Sequence, residues 1–192
     1  MDSVDLLAIL GVLVMITLVV GVAALLWARR QQRSTDLQAN FGPEYSRAVS
    51  DLGSRRMAEK ELLRRQQRMQ KVEIRMLYPE ERDRFGAAWS NVQHRFVDDP
   101  MGAVREADML VKDVMMVRGY PMDNFEQRVA DLSVDHAGVV QHYRAARMLA
   151  AASADGKAST EDLRQAMVHY RALFADMLET AAPAAALREV PV

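Results

Sequence analysis

The chain begins with a uniformly apolar run, Leu6–Trp27, in which Thr17 is the single polar side chain. A helix of roughly 20 apolar residues crosses the hydrocarbon core of a bilayer, so this run is long enough to span one. The pattern predicts an N-terminal tail at residues 1–5 and a transmembrane anchor at residues 6–27. Everything that follows is then a domain tethered to a membrane.

The charges on either side of this run predict its orientation. Asp2 and Asp5 precede it, whereas Arg29, Arg30 and Arg33 follow it. Basic residues close to a span tend to stay in the cytoplasm, which predicts a single-pass protein with its N-terminus outside and its C-terminal domain in the cytoplasm. A cleaved signal peptide is the alternative, but it favours a basic start and an apolar stretch of roughly 7–15 residues.

Polar residues 28–40 predict a basic juxtamembrane linker, and Phe41-Gly42-Pro43-Glu44 predicts the start of a helix. A long basic helix then runs to about Val72. Its apolar positions follow a spacing near 3.5 residues: Tyr45, Val49, Leu52, Leu62, Met69 and Val72. The charged stretch Gly53–Arg56 interrupts them, which favours a packed bundle helix over a coiled coil and leaves the coiled coil as the alternative.

Five further helices follow, each with start or stop signals and an apolar stripe at helical spacing. Pro79, Asp99, a capping pair at Asp123 and Glu126, and another at Ser159 and Asp162 are start signals, and Gly119 is a stop signal. No sustained alternation of the strand type occurs. The fold class is therefore predicted as all-α: a transmembrane helix, a long basic helix, and a compact bundle of about five helices. The helical domain covers residues 41–180, and a disordered tail covers residues 181–192.

The formal net charge of −1 conceals an uneven distribution. Residues 29–75 hold 12 basic and 6 acidic side chains, whereas residues 76–192 hold 13 basic and 18 acidic ones. A basic segment beside a membrane suits anionic head groups, although a solvated helix whose arginines only set topology is the plainer interpretation. The candidate partner or lipid surface consists of Arg29, Arg30, Arg33, Arg55, Arg56, Arg64, Arg65 and Arg68. Nucleic acid is not an expected partner because aromatic residues are scarce in this segment.

Candidate chemistry is sparse. The chain has no cysteine, which excludes disulfides, thiol catalysis and Cys–zinc sites. None of its histidines, His94, His136, His142 and His169, pairs with another at the helical spacing of metal ligands, and phosphate-binding glycine motifs are missing. We therefore predict no catalytic, cofactor-binding or metal-binding residues, no cofactor and no small-molecule substrate.

Two compositional features remain. The tetrapeptide His142–Ala145 recurs as His169–Ala172 on the next predicted helix, and chance or similar packing demands are the favoured explanation. Both tyrosines fall on apolar stripes, which predicts that both belong to the core. The chain also contains 13 methionines, among them Met109, Met115 and Met116 on one helix. Methionine fills irregular gaps in cores and also recurs on adaptable binding surfaces.

Several motifs resemble those of a family of uncharacterised bacterial single-pass membrane proteins. They spread over about residues 41–179 and read FGPEY at 41–45, RFVDDP at 95–100, RGYP at 118–121, DLSVDH at 131–136 and TEDLRQAMVHYR at 160–171. The resemblance implies a bacterial protein with one N-terminal transmembrane helix. Together with the charge pattern, this predicts the plasma (inner) membrane as its location. It implies no activity, cofactor or functional residue.

Together these features predict a non-enzymatic, membrane-anchored helical interaction or scaffold protein that binds another protein or itself. The first alternative is a module that binds anionic lipid surfaces through residues 29–75. The second is an enzyme or ligand-binding protein whose site has no recognisable motif.

Overall fold

The computed structural model describes residues 3–179, with side chains from Met15 onward. Within this part of the chain the fold is all-α, as predicted, and contains no strand. Its helices are α1 (Ser3–Phe41), α2 (Pro43–Leu52), α3 (Arg55–Met69), α4 (Pro79–Arg95), α5 (Pro100–Arg118), α6 (Phe125–Asp135), α7 (Val140–Ala154) and α8 (Thr160–Glu179). The predicted tail at residues 181–192 lies outside the described residues.

The first helix departs from the prediction at its C-terminal end. α1 continues without interruption through residues 28–40, where the sequence predicts a linker. These residues are polar but include neither glycine nor proline, and arginine, glutamine, leucine and alanine all propagate a helix well. Across the side chains that the structure describes, no helix combines the length and apolar character needed to cross a membrane. Leu6–Val14, the first part of the predicted anchor, lies outside those side chains.

The chain divides into two compact units, with the boundary between Asn40 and Phe41. In the second unit the predicted long basic helix is wrong as one element, because α2 and α3 are separate helices packed on each other. Gly53 ends α2 with φ +63°, a left-handed conformation that stops a helix and that glycine adopts without strain. Ser54 is extended and lets α3 start in a new direction.

The core of the second unit is built from the predicted apolar stripes of α4, α5, α6, α7 and α8. The α4 stripe buries Trp89 against Phe174 of α8, with the two rings stacked at 4.7 Å between centroids. α7 and α8 are joined by a short turn and form a helical hairpin, while α5 packs against both α4 and α8. The predicted compact group of about five helices corresponds to α4–α8.

The caps of α5 lie where the sequence predicts them. Asp99 begins α5 by accepting a hydrogen bond from the Gly102 amide at 2.8 Å, and Gly119 ends α5 with φ +91°. At α6, however, the cap is Asn124, which accepts from the Gln127 amide at 2.9 Å. The prediction of Asp123 as that cap is therefore wrong by one residue. Asp123 instead forms an ion pair with an arginine of α3.

The connection between α3 and α4 is held against the end of α5. The Arg75 amide donates to the Arg118 carbonyl at 2.9 Å, and the buried Arg118 guanidinium donates to the Met177 carbonyl at 2.9 Å. The Arg75 side chain also binds Glu81 in the first turn of α4 at 2.7 Å, and this contact lowers the pKa of Glu81 to about 2. Arginine contacts thus join α4, α5 and α8 at one end of the bundle.

Candidate interaction surface

The eight arginines predicted as a partner or lipid surface belong to both units. Arg29, Arg30 and Arg33 lie on α1 and are exposed. The other five lie on α3: Arg55, Arg56, Arg64, Arg65 and Arg68. Arg56 is exposed as well, whereas the remaining four take part in ion pairs within the second unit.

Two of these arginines hold the domain together. The Arg65 guanidinium, only 17% exposed, bonds Glu61 at 3.2 Å and reaches Ser133 of α6 at 3.5 Å. Arg68 pairs with the buried carboxylate of Asp131, also on α6, at 3.1 Å. Arg65 and Arg68 therefore attach α3 to α6, a role that their spacing along the sequence does not reveal.

Glu44 forms a buried ion pair between helices that are far apart in the sequence. Its carboxylate, 2% exposed, accepts from Arg144 of α7 at 2.7 Å and also from Gln141. Arg65 lies 3.9 Å away on another side. A buried carboxylate is costly unless it is paired and hydrogen-bonded, so these contacts tie the first turn of α2 to α7.

Asp108 forms a second buried cluster, in the middle of the bundle. It accepts from the Tyr170 hydroxyl of α8 at 3.0 Å, from Lys112 at 2.6 Å and from Arg147 of α7 at 3.2 Å. Burial, followed by the nearby Asp108 charge, raises the pKa of Tyr170, so its hydroxyl keeps its proton and remains a donor. The cluster ties α5, α7 and α8 together.

A third cluster joins a tyrosine, a histidine and an aspartate and has the connectivity of a proton relay. His136 contacts Asp176 through Nδ1, and its Nε2 lies 2.9 Å from the Tyr120 hydroxyl. Tyr120 and His136 are 4% and 3% exposed. Burial raises the pKa of Tyr120 well above that of a free tyrosine. Asp176, at the other end of the cluster, is 35% exposed, and these contacts join the end of α6 to α8.

The repeated tetrapeptide places two histidines in contact. Nδ1 of His142 on α7 lies 2.9 Å from Nδ1 of His169 on α8, and both side chains are half-buried. The tyrosines that follow them, Tyr143 and Tyr170, are fully buried, in agreement with the prediction that both belong to the core. Burial and the neighbouring His142 lower the pKa of His169, which favours the neutral ring.

An apolar groove opens between α4 and α8. Its α4 side consists of Trp89, Gln93 and Phe96, which directly follows the helix. Its α8 side repeats at positions three and four residues apart: Arg164, Met167, Val168 and Arg171. The groove has a volume of about 150 Å³, smaller than the roughly 300–1,000 Å³ of small-ligand pockets, so it suits an inserted side chain better than a whole ligand.

The edges of this groove are basic and its floor is apolar. Val168 is 48% exposed although it belongs to an otherwise buried stretch of α8. Arg164 forms a bidentate ion pair with Glu161, both bonds at 2.7 Å. Arg171 is exposed and has no ion-pair partner among residues 15–179. The groove therefore presents an apolar depression next to an available positive charge.

The methionines divide between the core and the surface. On α5, Met115 is buried, whereas Met109 and Met116 are exposed and lie seven residues apart on one face. Met148 of α7 is exposed as well. Exposed methionines are suited to adaptable contacts with other proteins.

Sequence reasoning missed the groove because its two sides come from α4 and α8, which are distant along the chain. A local signal exists for half of it, since Arg164, Val168 and Arg171 repeat at i, i+4 and i+7. No local sequence signal pairs that face with Trp89 and Phe96.

Among the described residues, no group of three or more histidine, aspartate or glutamate side chains is arranged to hold a metal ion.

Comparisons with known proteins add no further assignment to this site. Neither a family model, nor a curated protein, nor a solved structure matches the chain.

Proposed function

We propose that this protein is a membrane-anchored helical adaptor that binds another protein through the groove between α4 and α8. The partner segment is amphipathic: an apolar side chain enters the groove, and a carboxylate about one helical turn away meets Arg171. The observation that carries the proposal is an apolar groove with an exposed residue, Val168, beside the Arg171 guanidinium, which has no ion-pair partner among residues 15–179. Arginine is enriched among the residues that contribute most to the binding energy of protein interfaces.

The anchor rests on the exposed apolar surface of α1. From Met15 to Arg33 every described side chain of this helix is exposed, including Leu18, Leu25 and Trp27. A helix that is apolar on all sides is stable when apolar surroundings cover it, as lipid does. Trp27 and the arginines after it match the aromatic and basic residues found where a span leaves the bilayer. This favours a cytoplasmic domain on the inner membrane.

A cysteine-labelling experiment tests the anchor and its orientation. The chain has no native cysteine, so Ser3→Cys and Ser159→Cys each provide a unique thiol. We expect a membrane-impermeant maleimide to label Ser3→Cys in intact cells and to label Ser159→Cys only after lysis. Recovery of the full-length protein in the soluble fraction would contradict the anchor, and labelling of Ser159→Cys in intact cells would contradict the orientation.

A photo-crosslinking amino acid at Val168 tests the groove in the full-length protein. We expect a reproducible crosslink to a partner segment that holds an apolar residue and an aspartate or glutamate within one helical turn. The same amino acid at Val97, an exposed apolar position outside the groove, is the matched control and should not give this product.

Charge exchange makes the groove experiment specific. Arg171→Glu should weaken the crosslink from position 168, and reversing the partner's acidic residue to arginine should restore it. A crosslink to a second copy of this chain, or equal crosslinks from positions 168 and 97, would overturn the proposed partner. Rescue by charge exchange separates direct recognition from an indirect change in folding.

Binding of anionic lipid by residues 29–75 is the second candidate, favoured by the exposure of Arg29, Arg30, Arg33 and Arg56. Four arginines of α3 are already engaged by carboxylates, which reduces the charge that this segment can offer to a membrane. Full-length protein in neutral nanodiscs discriminates the two candidates. If residues 29–75 bind lipid, these nanodiscs will capture anionic vesicles, and the binding will weaken as the ionic strength rises.

A further inference from the structure

The histidine pair between α7 and α8 is positioned by the buried residues around it. Each histidine precedes a core tyrosine: Tyr143 meets Arg128 at 3.4 Å, and Tyr170 donates to Asp108 at 3.0 Å. Because both tyrosines are held on the buried face of their helices, the preceding histidines project along the seam of the hairpin. In the folded protein, the two copies of the tetrapeptide thus bring His142 and His169 into contact.

The two Nδ1 atoms are close to the separation required by one metal ion. Zinc–nitrogen bonds of about 2.0–2.1 Å at the tetrahedral angle place two ligand nitrogens about 3.3 Å apart. The observed Nδ1–Nδ1 separation is 2.9 Å, and the ring centroids are 5.1 Å apart. A small rotation of the rings therefore converts the metal-free contact, in which one ring donates a hydrogen bond to the other, into a chelating pair.

The exposure and the chemistry of the pair also suit metal binding. A metal binds the neutral imidazole through the lone pair of a ring nitrogen. Both side chains are half-buried, so solvent can reach an ion held between them. Imidazole ligands favour zinc, copper and nickel over magnesium and calcium.

We propose that His142 and His169 form a two-histidine site that binds a divalent transition-metal ion across α7 and α8, with solvent completing the coordination. The described residues supply no third histidine or carboxylate ligand at this position, so the site is open and exchangeable. Metal binding would clamp the helical hairpin. This proposal does not depend on the groove or on the membrane anchor.

Titration of the full-length, detergent-solubilised protein with Zn²⁺ alone tests the site. We expect one equivalent of saturable binding that raises the thermal midpoint, because an ion bound only by the folded state stabilises it. His142→Gln and His169→Gln should each abolish both effects. His94→Gln removes an exposed histidine of α4 outside the pair and is the matched control, which should bind as the unaltered protein does.

Electron paramagnetic resonance with Cu²⁺ supplies a readout that folding defects do not imitate. Two imidazole nitrogens should give superhyperfine coupling that falls to the pattern of a single nitrogen, or disappears, in either glutamine variant. The circular dichroism of each variant reports whether it has folded. Unchanged Zn²⁺ binding in a folded His142→Gln or His169→Gln variant, or no saturable binding by the unaltered protein at neutral pH, would overturn the proposal.

Discussion

Replacing Arg144 by methionine is expected to lower the free energy of unfolding by about 3 kcal/mol. Arg144 neutralises the buried Glu44 carboxylate at 2.7 Å, and the substitution keeps a long apolar stem while it removes the charge. Gln141 and the more distant Arg65 compensate Glu44 only in part. Removing one partner of a buried ion pair leaves an uncompensated charge, which typically costs roughly 3–5 kcal/mol. Denaturant unfolding in mild detergent, followed by circular dichroism, measures the change.

Two further variants show whether the buried charge causes the loss. Arg105→Met makes the same replacement at an exposed position of α5 and should change stability by no more than about 0.5 kcal/mol. The double variant Glu44→Met with Arg144→Met removes both charges and should recover much of the stability, because apolar pairs often replace buried ion pairs well. A loss in Arg144→Met no greater than that in Arg105→Met would contradict the buried ion pair between α2 and α7.

Gly119→Ala is expected to destabilise the protein by about 3 kcal/mol, through two effects that act together. The backbone φ of +91° disfavours any side chain, and an added Cβ would lie 2.6 Å from the Glu73 carbonyl oxygen. Because that oxygen belongs to the backbone, relieving the overlap requires the connection before α4 to move. Such movement would weaken the Arg75–Arg118 backbone hydrogen bond of 2.9 Å. Thermal unfolding in the same detergent measures the loss.

Gly156→Ala provides the matched control for this substitution. Gly156 also has a positive φ, +68°, but an added Cβ there meets no atom within 4 Å. We expect it to cost about 1 kcal/mol, the typical penalty for placing alanine in a left-handed conformation. The difference between the two variants therefore measures the close approach of Glu73. Equal losses in both would mean that the connection before α4 yields without cost.

These substitutions and the functional proposals concern different parts of the domain. Glu44, Arg144, Gly119 and Glu73 hold helices and connections in place and do not line the groove or belong to the histidine pair. A loss of partner binding in Arg171→Glu, or of Zn²⁺ binding in His169→Gln, can therefore be distinguished from a loss of stability. The stability variants, which leave both sites intact, provide the comparison.

Helix content, caps and core faces were predictable from the sequence because their physics is local. The α8 stripe that contains Leu163, Tyr170 and Phe174 repeats at helical spacing and is buried as expected. Asp99 starts α5 and Gly119 ends it, since a cap depends on residues within one helical turn. The predictions failed where two local signals competed. Polarity at residues 28–40 indicated a linker although the residue types favour helix, and Gly53 divided a stripe that continues on both sides.

The sequence by itself therefore determined an all-α chain, the apolar faces of its bundle helices and the absence of thiol chemistry. The tertiary structure alone decided which charges are buried and which surfaces remain available. Glu44 meets Arg144, His142 meets His169, and Trp89 faces Val168 across the groove only after the helices pack. The physical reason is that side chains distant in the sequence acquire their partners, burial and pKa shifts from packing, whereas helical periodicity and capping act within a few residues.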